Sequence, residues 1–433
     1  VEMVGLAHSI PDPTALAIRC GAGTLLHTGD WKFDATPGLG SDTDSTRLAE
    51  IGDEGVLAMV GDSTNAMVEG RTASEAEAEA GLKDAIAAAT GRVAVTCFSS
   101  NVARIQSIIR AAQANDRSVA VVGRAIKRAM SAAQEVGYLR DFPDFVAEGD
   151  IALLPRENIV IICTGTQGEP RAAMAKIAAG THESVSLDPG DTVIYSSRQI
   201  PGNEPAIARV QDALIRRKIR LVTDEDAPVH VSGHPSRDEM IEMYGLIRPK
   251  IAIPVHGTAR HLMAHAALAD SCQVHQTLIP DNGTVIRLVD GADDIAAEAS
   301  IIDNVHTGAL THEKGQIIEI QSDMMRARRR MLWNGAVTAS VVLNRNGALC
   351  AAPTVSQTGI GDEEAATDYI AAASIAIEDA LSAMGRSDRR TDKAVEDITG
   401  QALRRVARSM FGLRPIVHVH ILRLSSDDLA GVA

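Results

Sequence analysis

Aromatic side chains make up only 3% of the 433 residues, so any core must be built from aliphatic side chains. No apolar run is long enough to span a bilayer, and no signal segment with a basic start and small-residue cleavage site is present. A membrane-spanning or signal-directed reading is therefore not supported. The five cysteines (Cys20, Cys97, Cys163, Cys272, Cys350) are odd in number and contain no CxxC spacing. Most lie in apolar runs, and they read as buried free thiols in a reducing compartment. Basic charge is not in excess either. A formal net charge of −14 excludes a general nucleic-acid coat, so contact with RNA or DNA must come from a local basic groove. Basic residues do cluster at MRARRRM (325–331) and ALRRVARSM (402–410).

The length exceeds what one compact core accommodates, which predicts two or three domains. The N-terminal stretch to about Thr64 reads as strands (TALAIRC, GTLLHTGD, GVLAMVGDST). A helix follows at SEAEAEAGLKDAIAAA, with Thr72 or Ser74 as its N-cap. From Gly91 to Asp224 strands and helices alternate with short connections, which predicts a doubly wound parallel sheet. Such sheets bind ligands beyond the carboxyl ends of their strands, where CFSSN, CTGTQGE and SSRQIPGNE fall. The alternation continues through MIEMYGLIRP, KIAIPVHG and ARHLMAHAALADS, then gives way to turn signals at PDNG and VDGADD. A charged stretch from about Asp303 to Arg330 reads as a linker. Strands AVTASVVLN and LCAAPTVS, two long helices and a final strand IVHVHILRL then form a small α+β module.

Several polar residues stand at predicted strand-end turns. Asp30 follows an apolar strand and a glycine, and suits either a carboxylate bridging two cations or an Asx-turn closing a hairpin. His8, in LAHSIPDP, and His256, in IAIPVHG, suit metal ligation or a structural role. His234, in VSGHPS, precedes a helix whose first amides, with Ser232 and Ser236, suit a phosphate oxygen; the alternative is a Ser236 helix cap beside an incidental imidazole. Asp62 ends another strand and would orient a ligand histidine from behind. His261 and His265 are spaced as a metal pair, but with no acid between them a plain helix face is the better reading. His27 is expected to be packed. His418 and His420 alternate on a strand far from the other motifs.

In order, HSIPD, HTGDWKFD, GDSTN, FSSNVARIQ, TGTQGEP, SSRQIPGNE, VSGHPS, RPKIAIPVHG and RHLMAHA resemble blocks of the metallo-β-lactamase superfamily. The likeness is to its β-CASP nucleic-acid branch, and within that to the ribonuclease J family. It covers nearly the whole chain. It implies an α/β protein: a metallo-β-lactamase αββα fold, incomplete here, with an inserted doubly wound β-CASP domain and a small C-terminal α+β domain. The expected boundaries are 1–70 and 226–305 for the metallo-β-lactamase part, 71–225 for β-CASP, 306–330 for a linker and 331–433 for the last domain.

The resemblance also implies roles. His8, Asp30 and His256 would ligate metal, Asp30 bridging two Zn²⁺ ions in the intact protein, and Asp62 would open the β-CASP motif series. Asp30 and His234 would be catalytic, His234 meeting the scissile phosphate. His230, Val231, Ser232, Gly233, His234 and Ser236 would form the substrate-phosphate loop. Ser99, Ser100 and Asn101 would contribute to a 5′-monophosphate pocket. The implied activity is 5′-to-3′ exonucleolytic and endonucleolytic cleavage of single-stranded RNA in a cytoplasmic homodimer or homotetramer, with other RNA-decay proteins as candidate partners. The family's HxHxDH motif is nowhere in the sequence, which begins at Val1. The expectation is a fragment lacking on the order of a hundred residues, about a domain's worth, and itself inactive. Thr258-Ala259 replaces the acidic-aromatic pair usual after VHG. A non-catalytic RNA-binding scaffold and a small-ester metallohydrolase are the rival readings.

Overall fold

The structure is a computed structural model that describes residues 1–40, 42–139, 142–291 and 297–424. It divides into two compact units, Val1–Val305 and His306–Ala433.

The first unit begins with β1 (Glu2–Gly5), β2 (Thr14–Cys20), β3 (Gly23–His27), α1 (Ser45–Glu54) and β4 (Ala58–Asp62). Helix α2 (Glu75–Ala87) then starts at Ser74, whose hydroxyl and the Glu77 carboxylate form a reciprocal capping box, so Ser74 and not Thr72 is the cap. Next come β5 (Val93–Thr96), α3 (Val102–Gln113), β6 (Ser118–Val122), α4 (Arg124–Glu135), β7 (Ile159–Cys163), α5 (Ala173–Ala178), β8 (Thr192–Tyr195), α6 (Glu204–Arg216) and β9 (Arg220–Val222). The unit finishes with α7 (Arg237–Ile247), β10 (Ile251–Val255), α8 (Ala259–Ser271), β11 (Gln276–Thr277), β12 (Thr284–Val289) and β13 (Glu298–Asn304).

Strands β5 to β9 form the expected parallel sheet, in the order β6-β7-β5-β8-β9. Period-two alternation divides its side chains between two cores. Val93, Val95, Val160 and Ile162 face one helical layer, while Ala94, Ile159, Ile161 and Cys163 face the other. Both faces are covered, which is why these strands are continuously aliphatic. The remaining strands build a mixed sheet, β1-β2-β3-β4-β10-β11, antiparallel as far as β3 and parallel beyond it. Its chain partners β4 and β10 are far apart in sequence because the whole β5–β9 layer is inserted between them.

In the second unit a hairpin of β14 (Leu310–Glu313) and β15 (Gln316–Glu319) leads into α9 (Asp323–Asn334). The segment read as a linker thus carries regular structure. Lys314 and Gly315, both at positive φ, supply its tight turn. Strands β16 (Ala336–Asn344) and β17 (Thr354–Thr358), helices α10 (Glu363–Ala383) and α11 (Asp392–Phe411), and β18 (Ile416–Leu424) complete the unit, with sheet order β17-β16-β18. Every second residue of β16 is buried under the two helices. The expected strand LCAAPTVS is shorter than read and starts at Thr354, since Pro353 cannot donate to the ladder. The turn expected at VDGADD runs onto residues 292–296, which lie outside the described residues.

All five thiols are free, yet only Cys97 and Cys163 are buried; Cys20 and Cys350 are exposed and Cys272 is intermediate. Cys20 ends a hairpin strand and Cys350 lies in the loop ahead of β17, where neither is covered. His27 also departs from expectation. Strand alternation turns Leu26 inward and leaves His27 exposed, its Nδ1 accepting from the Gly29 amide at 3.0 Å.

Candidate metal centre and cleft

Three neighbouring parallel strands, β3, β4 and β10, end at the same edge of the mixed sheet, with His27 opposite Val60 and Val255 opposite Asp62. Asp62 closes β4, His256 immediately follows β10, and Asp30 follows β3 after Gly29, whose φ of 63° turns the chain back over the edge. Adjacent strands lie about 4.8 Å apart, so residues at these ends meet without long side chains. His256 itself holds a left-handed φ of 57°, a strained backbone for a residue with a Cβ, and the strain aims its ring at the two carboxylates.

His256 Nδ1 lies 2.9 Å from Asp30 Oδ1 and 3.4 Å from Asp62 Oδ1. The other Asp62 oxygen lies 2.6 Å from His234 Nδ1. Ligand atoms of Asp30, Asp62, His234 and His256 all fall within 4.8 Å of one another. Asp62 is 1% exposed. Burial works to raise its carboxyl, but hydrogen bonds from His234 and His256 outweigh this and hold it well below the usual carboxylate range. The His256 hydrogen bond lowers Asp30 in the same way. In return Asp30, then Asp62, push His256 up to about 10. A paired carboxylate cluster that holds a proton on an imidazole this firmly is a site that demands positive charge.

His8 stands beside these four, not among them. Its ring centroid is 5.0 Å from that of His234. Its Nδ1 lies 2.5 Å from the Gly233 carbonyl oxygen, which can only accept, so the proton sits on Nδ1. The lone pair is then on Nε2, where Ser9 Oγ approaches at 3.2 Å. A histidine fixed in this tautomer by a backbone carbonyl is prepared for ligation through Nε2. Burial lowers its affinity for a second proton. Gly233 is required here because a Cβ would come within 2.6 Å of His8 Nδ1. Two carboxylates and imidazoles of this kind are the donor set of a divalent cation of borderline hardness, and they fit one.

Beside the cluster opens a cleft of about 540 Å³. His230, Ser232, Gly233 and His234 line it from one side, with His256 and His261. Phe98, Asn101, Arg198, Ile200 and Pro201 line it from the carboxyl ends of β5 and β8, as the doubly wound sheet predicts. Met67 and Val68 add exposed apolar surface.

Several residues expected to bind substrate are otherwise engaged. Ser236 is 2% exposed, caps α7 in a box with Glu239, and bonds Thr72 Oγ1, so no hydroxyl is left for phosphate. Val231 is buried. Asn101 reaches the cleft, but its Oδ1 caps α3 by accepting from the Arg104 amide at 2.9 Å. Ser99 and Ser100 are not among the residues lining the cleft. Ser232 Oγ accepts from Asn65 Nδ2 and from the His234 amide, which braces the loop. His265 is buried between Ser63 Oγ (2.8 Å) and Tyr244 OH (2.9 Å), while His261 joins Thr258 in the box that starts α8. They form no metal pair.

Other supports left no recognisable mark in the sequence. Glu239 accepts from the amides of Phe33, Thr72 and Ser236 and so ties together the loops around Asp30 and His234. Lys32 and Asp34 pair at 2.7 Å with no exposed side-chain surface. Arg104 pairs with Glu75 in the interior and also reaches His230.

Residues 90–214 match the family model for the ribonuclease J beta-CASP domain, 227–277 that for the Zn-dependent metallo-hydrolase RNA specificity domain, and 323–424 that for the ribonuclease J C-terminal domain. Ribonuclease J of Sinorhizobium meliloti is 40% identical over 428 residues, covering 98% of this chain and 74% of the relative. Ribonuclease J of Mycolicibacterium smegmatis is 40% identical over 86% of this chain and 66% of the relative. That of Helicobacter pylori is 31% identical over 97% of this chain and 61% of the relative.

Proposed function

The chain belongs to the ribonuclease J family, and on that premise we propose that it is the catalytic and RNA-gripping part of a zinc-dependent ribonuclease acting on single strands from their 5′ ends and internally. The observation that carries the reading is the convergence of Asp30, Asp62, His234 and His256 at one sheet edge, with His234 and His256 also lining the cleft beside it.

Asp30, Asp62 and His256, with His8 through Nε2, would hold zinc. A zinc ion held there would activate water near neutral pH and stabilise charge building on phosphorus. His234 is oriented by Asp62 and faces the cleft, placed to contact the scissile phosphate and to protonate the leaving oxygen. His230 offers its Nε2 proton to a phosphate or a 2′-hydroxyl. Phe98 provides a face for a base to stack on, Met67, Val68 and Ile200 an apolar wall, and Arg198 a charge for the backbone. Stacking surfaces of this kind suit unpaired bases. Reading of a 5′-monophosphate would fall to Ser232, Gly233 and the neighbouring amides, since Ser236 and Asn101 have other duties.

The 433 residues contain no HxHxDH segment. A polypeptide of these residues alone is expected to hold zinc weakly and to degrade 5′-monophosphorylated RNA negligibly. We place the protein in the cytoplasm, a reading supported by five free thiols and by the lack, among the described residues, of any helix long and apolar enough to cross a membrane. Self-association as a homodimer or homotetramer is supported by exposed apolar side chains in the second unit, among them Ile317, Leu332 and Trp333. The direct test is zinc content by mass spectrometry together with cleavage of 5′-labelled RNA. Wild type should hold measurable zinc and Asp30→Asn with His256→Ala none, with cleavage negligible in both. Equal zinc in the two, or brisk cleavage by either, would reject the assignment.

A further inference from the structure

A second cavity, of about 360 Å³, opens at the carboxyl ends of β6 and β7, where Gly123 and Thr164 leave the sheet. Arg124 and Lys127 reach it from the first turns of α4, and Arg171 and Lys176 from the opposite wall. Two acids, Glu148 and Glu183, also line it, so the four cations leave an excess of two on a chain whose net charge is −14. Of the cations, Lys127 is spent on Glu148. No ion pair is formed by Arg124, Arg171 or Lys176 among the described residues. Their convergence around one void raises their mutual repulsion, which a bound anion would relieve.

Two further features favour an anion. His182 lines the same cavity, and its Nδ1 accepts from the amides of Ser184 and Val185 at 3.3 and 3.2 Å, which leaves the proton on Nε2. The first turn of α4 has no side-chain cap, since Gly123 stands at the N-cap with φ 117°. Its amides are therefore open to an acceptor from outside the helix.

The cavity is tied to the catalytic cleft through the loop that follows β7. Gln167 on that loop donates to the Arg198 carbonyl at 3.0 Å and accepts from the Ile200 amide at 2.9 Å. Arg198 and Ile200 are walls of the cleft, whereas Thr164 and Arg171 on either side of Gln167 belong to the second cavity. Strands β6 and β5 flank β7, so the two sites lie roughly 10 Å apart along one sheet edge.

We infer that this cavity is a second phosphate-binding site, taking a phosphate group through Arg124, Arg171, Lys176 and the start of α4. The phosphate can come from a free small phosphate compound or from the backbone of an RNA whose reacting end lies in the cleft. The RNA source rests on the ribonuclease reading, whereas the phosphate site itself does not.

The test uses the whole chain and the double variant Arg171→Gln/Lys176→Gln, both side chains exposed. Equilibrium dialysis with radiolabelled inorganic phosphate measures the pocket. Anisotropy of a labelled 20-nucleotide single-stranded RNA against salt measures the grip on the RNA backbone. The expected result is at least fivefold weaker phosphate binding in the variant. If RNA is the source, the slope of log affinity on log salt also falls by about 1.4, since each cation neutralising a single-strand phosphate contributes about 0.7. Weakened phosphate binding with an unchanged slope assigns the pocket to a small phosphate compound. A reduced slope with unchanged phosphate binding means a diffuse basic track, and overturns the pocket; so does no change in either. Wild type that binds no RNA would count against the ribonuclease reading, while the dialysis still reports on this site.

Discussion

Arg104 Nη1 lies 3.2 Å from His230 Nδ1, and because a guanidinium can only donate, the pair fixes His230 as the tautomer with its proton on Nε2. Burial, reinforced by the charge of Arg104, lowers the His230 pKa to about 3, so the ring stays neutral at the cleft wall. Glu75, bonded to Arg104 through both carboxylate oxygens, keeps the guanidinium in place.

From this follows a substitution series. His230→Ala removes the donor and should raise KM for RNA about tenfold, a loss of about 1.4 kcal/mol, in the range of one net hydrogen bond. His230→Gln places an amide N–H near the same point and should recover part of it. Equal KM for the two variants would deny the donor role. Arg104→Met leaves Glu75 buried and unpaired, and should cost about 3–5 kcal/mol in urea denaturation.

His265 gives the stability a defined pH dependence. It is 2% exposed, and burial lowers its pKa from 6.5 to about 4. Above pH 6.5 both folded and unfolded chains hold it neutral, and its contribution is fully present. As pH falls from 6.5 toward 4 the unfolded chain takes up the proton and the folded chain does not, so stability is lost. The loss is on the order of 3 kcal/mol across that window. Denaturation midpoints of His265→Gln should be flatter between pH 6.5 and 4. Identical slopes in wild type and variant would show that other groups set the dependence.

Phe98 is the base-stacking surface proposed for the cleft. Phe98→Ala should weaken binding of single-stranded RNA by about 1–3 kcal/mol, and Phe98→Tyr by much less. The measurement is anisotropy with a labelled homopolymer at fixed salt. Equal affinity for all three proteins would remove Phe98 from the binding surface.

Trp333 and Leu332 are 75% and 76% exposed on α9, a large apolar surface for a chain that stands alone. Light scattering should find an oligomer for the wild type, and Leu332→Glu/Trp333→Glu should convert it to monomer. A monomeric wild type at micromolar concentration would reject the association.

The fold was readable in the sequence wherever a single periodicity ruled. The aliphatic runs of β5, β7 and β8 and the helices between them stand where alternation put them, because strands covered on both faces have no polar positions to confuse the pattern. Asp30 and His256 were readable for another reason: each follows a strand at a turn, and the β3-β4-β10 order brings those ends together. The exposure of His27 and Cys20 was not legible, since which face of a hairpin is covered depends on tertiary partners. Between the two readings open for Ser236 the structure takes the helix cap, and Asn101, expected at a phosphate, is also a cap; local hydrogen-bond geometry makes that choice, and residue type does not reveal it. Nothing in the sequence singles out Glu239 or Arg104, and only packing over long sequence separation makes them internal supports.

Anomalous diffraction at the zinc edge, from crystals of the protein soaked in excess zinc, tests the metal centre directly. A peak is expected within ligand distance, about 2.0–2.2 Å, of Asp30, Asp62 and His256 side-chain atoms, and none in Asp30→Asn/His256→Ala. Zinc bound only elsewhere, with these side chains still paired to one another, would contradict it.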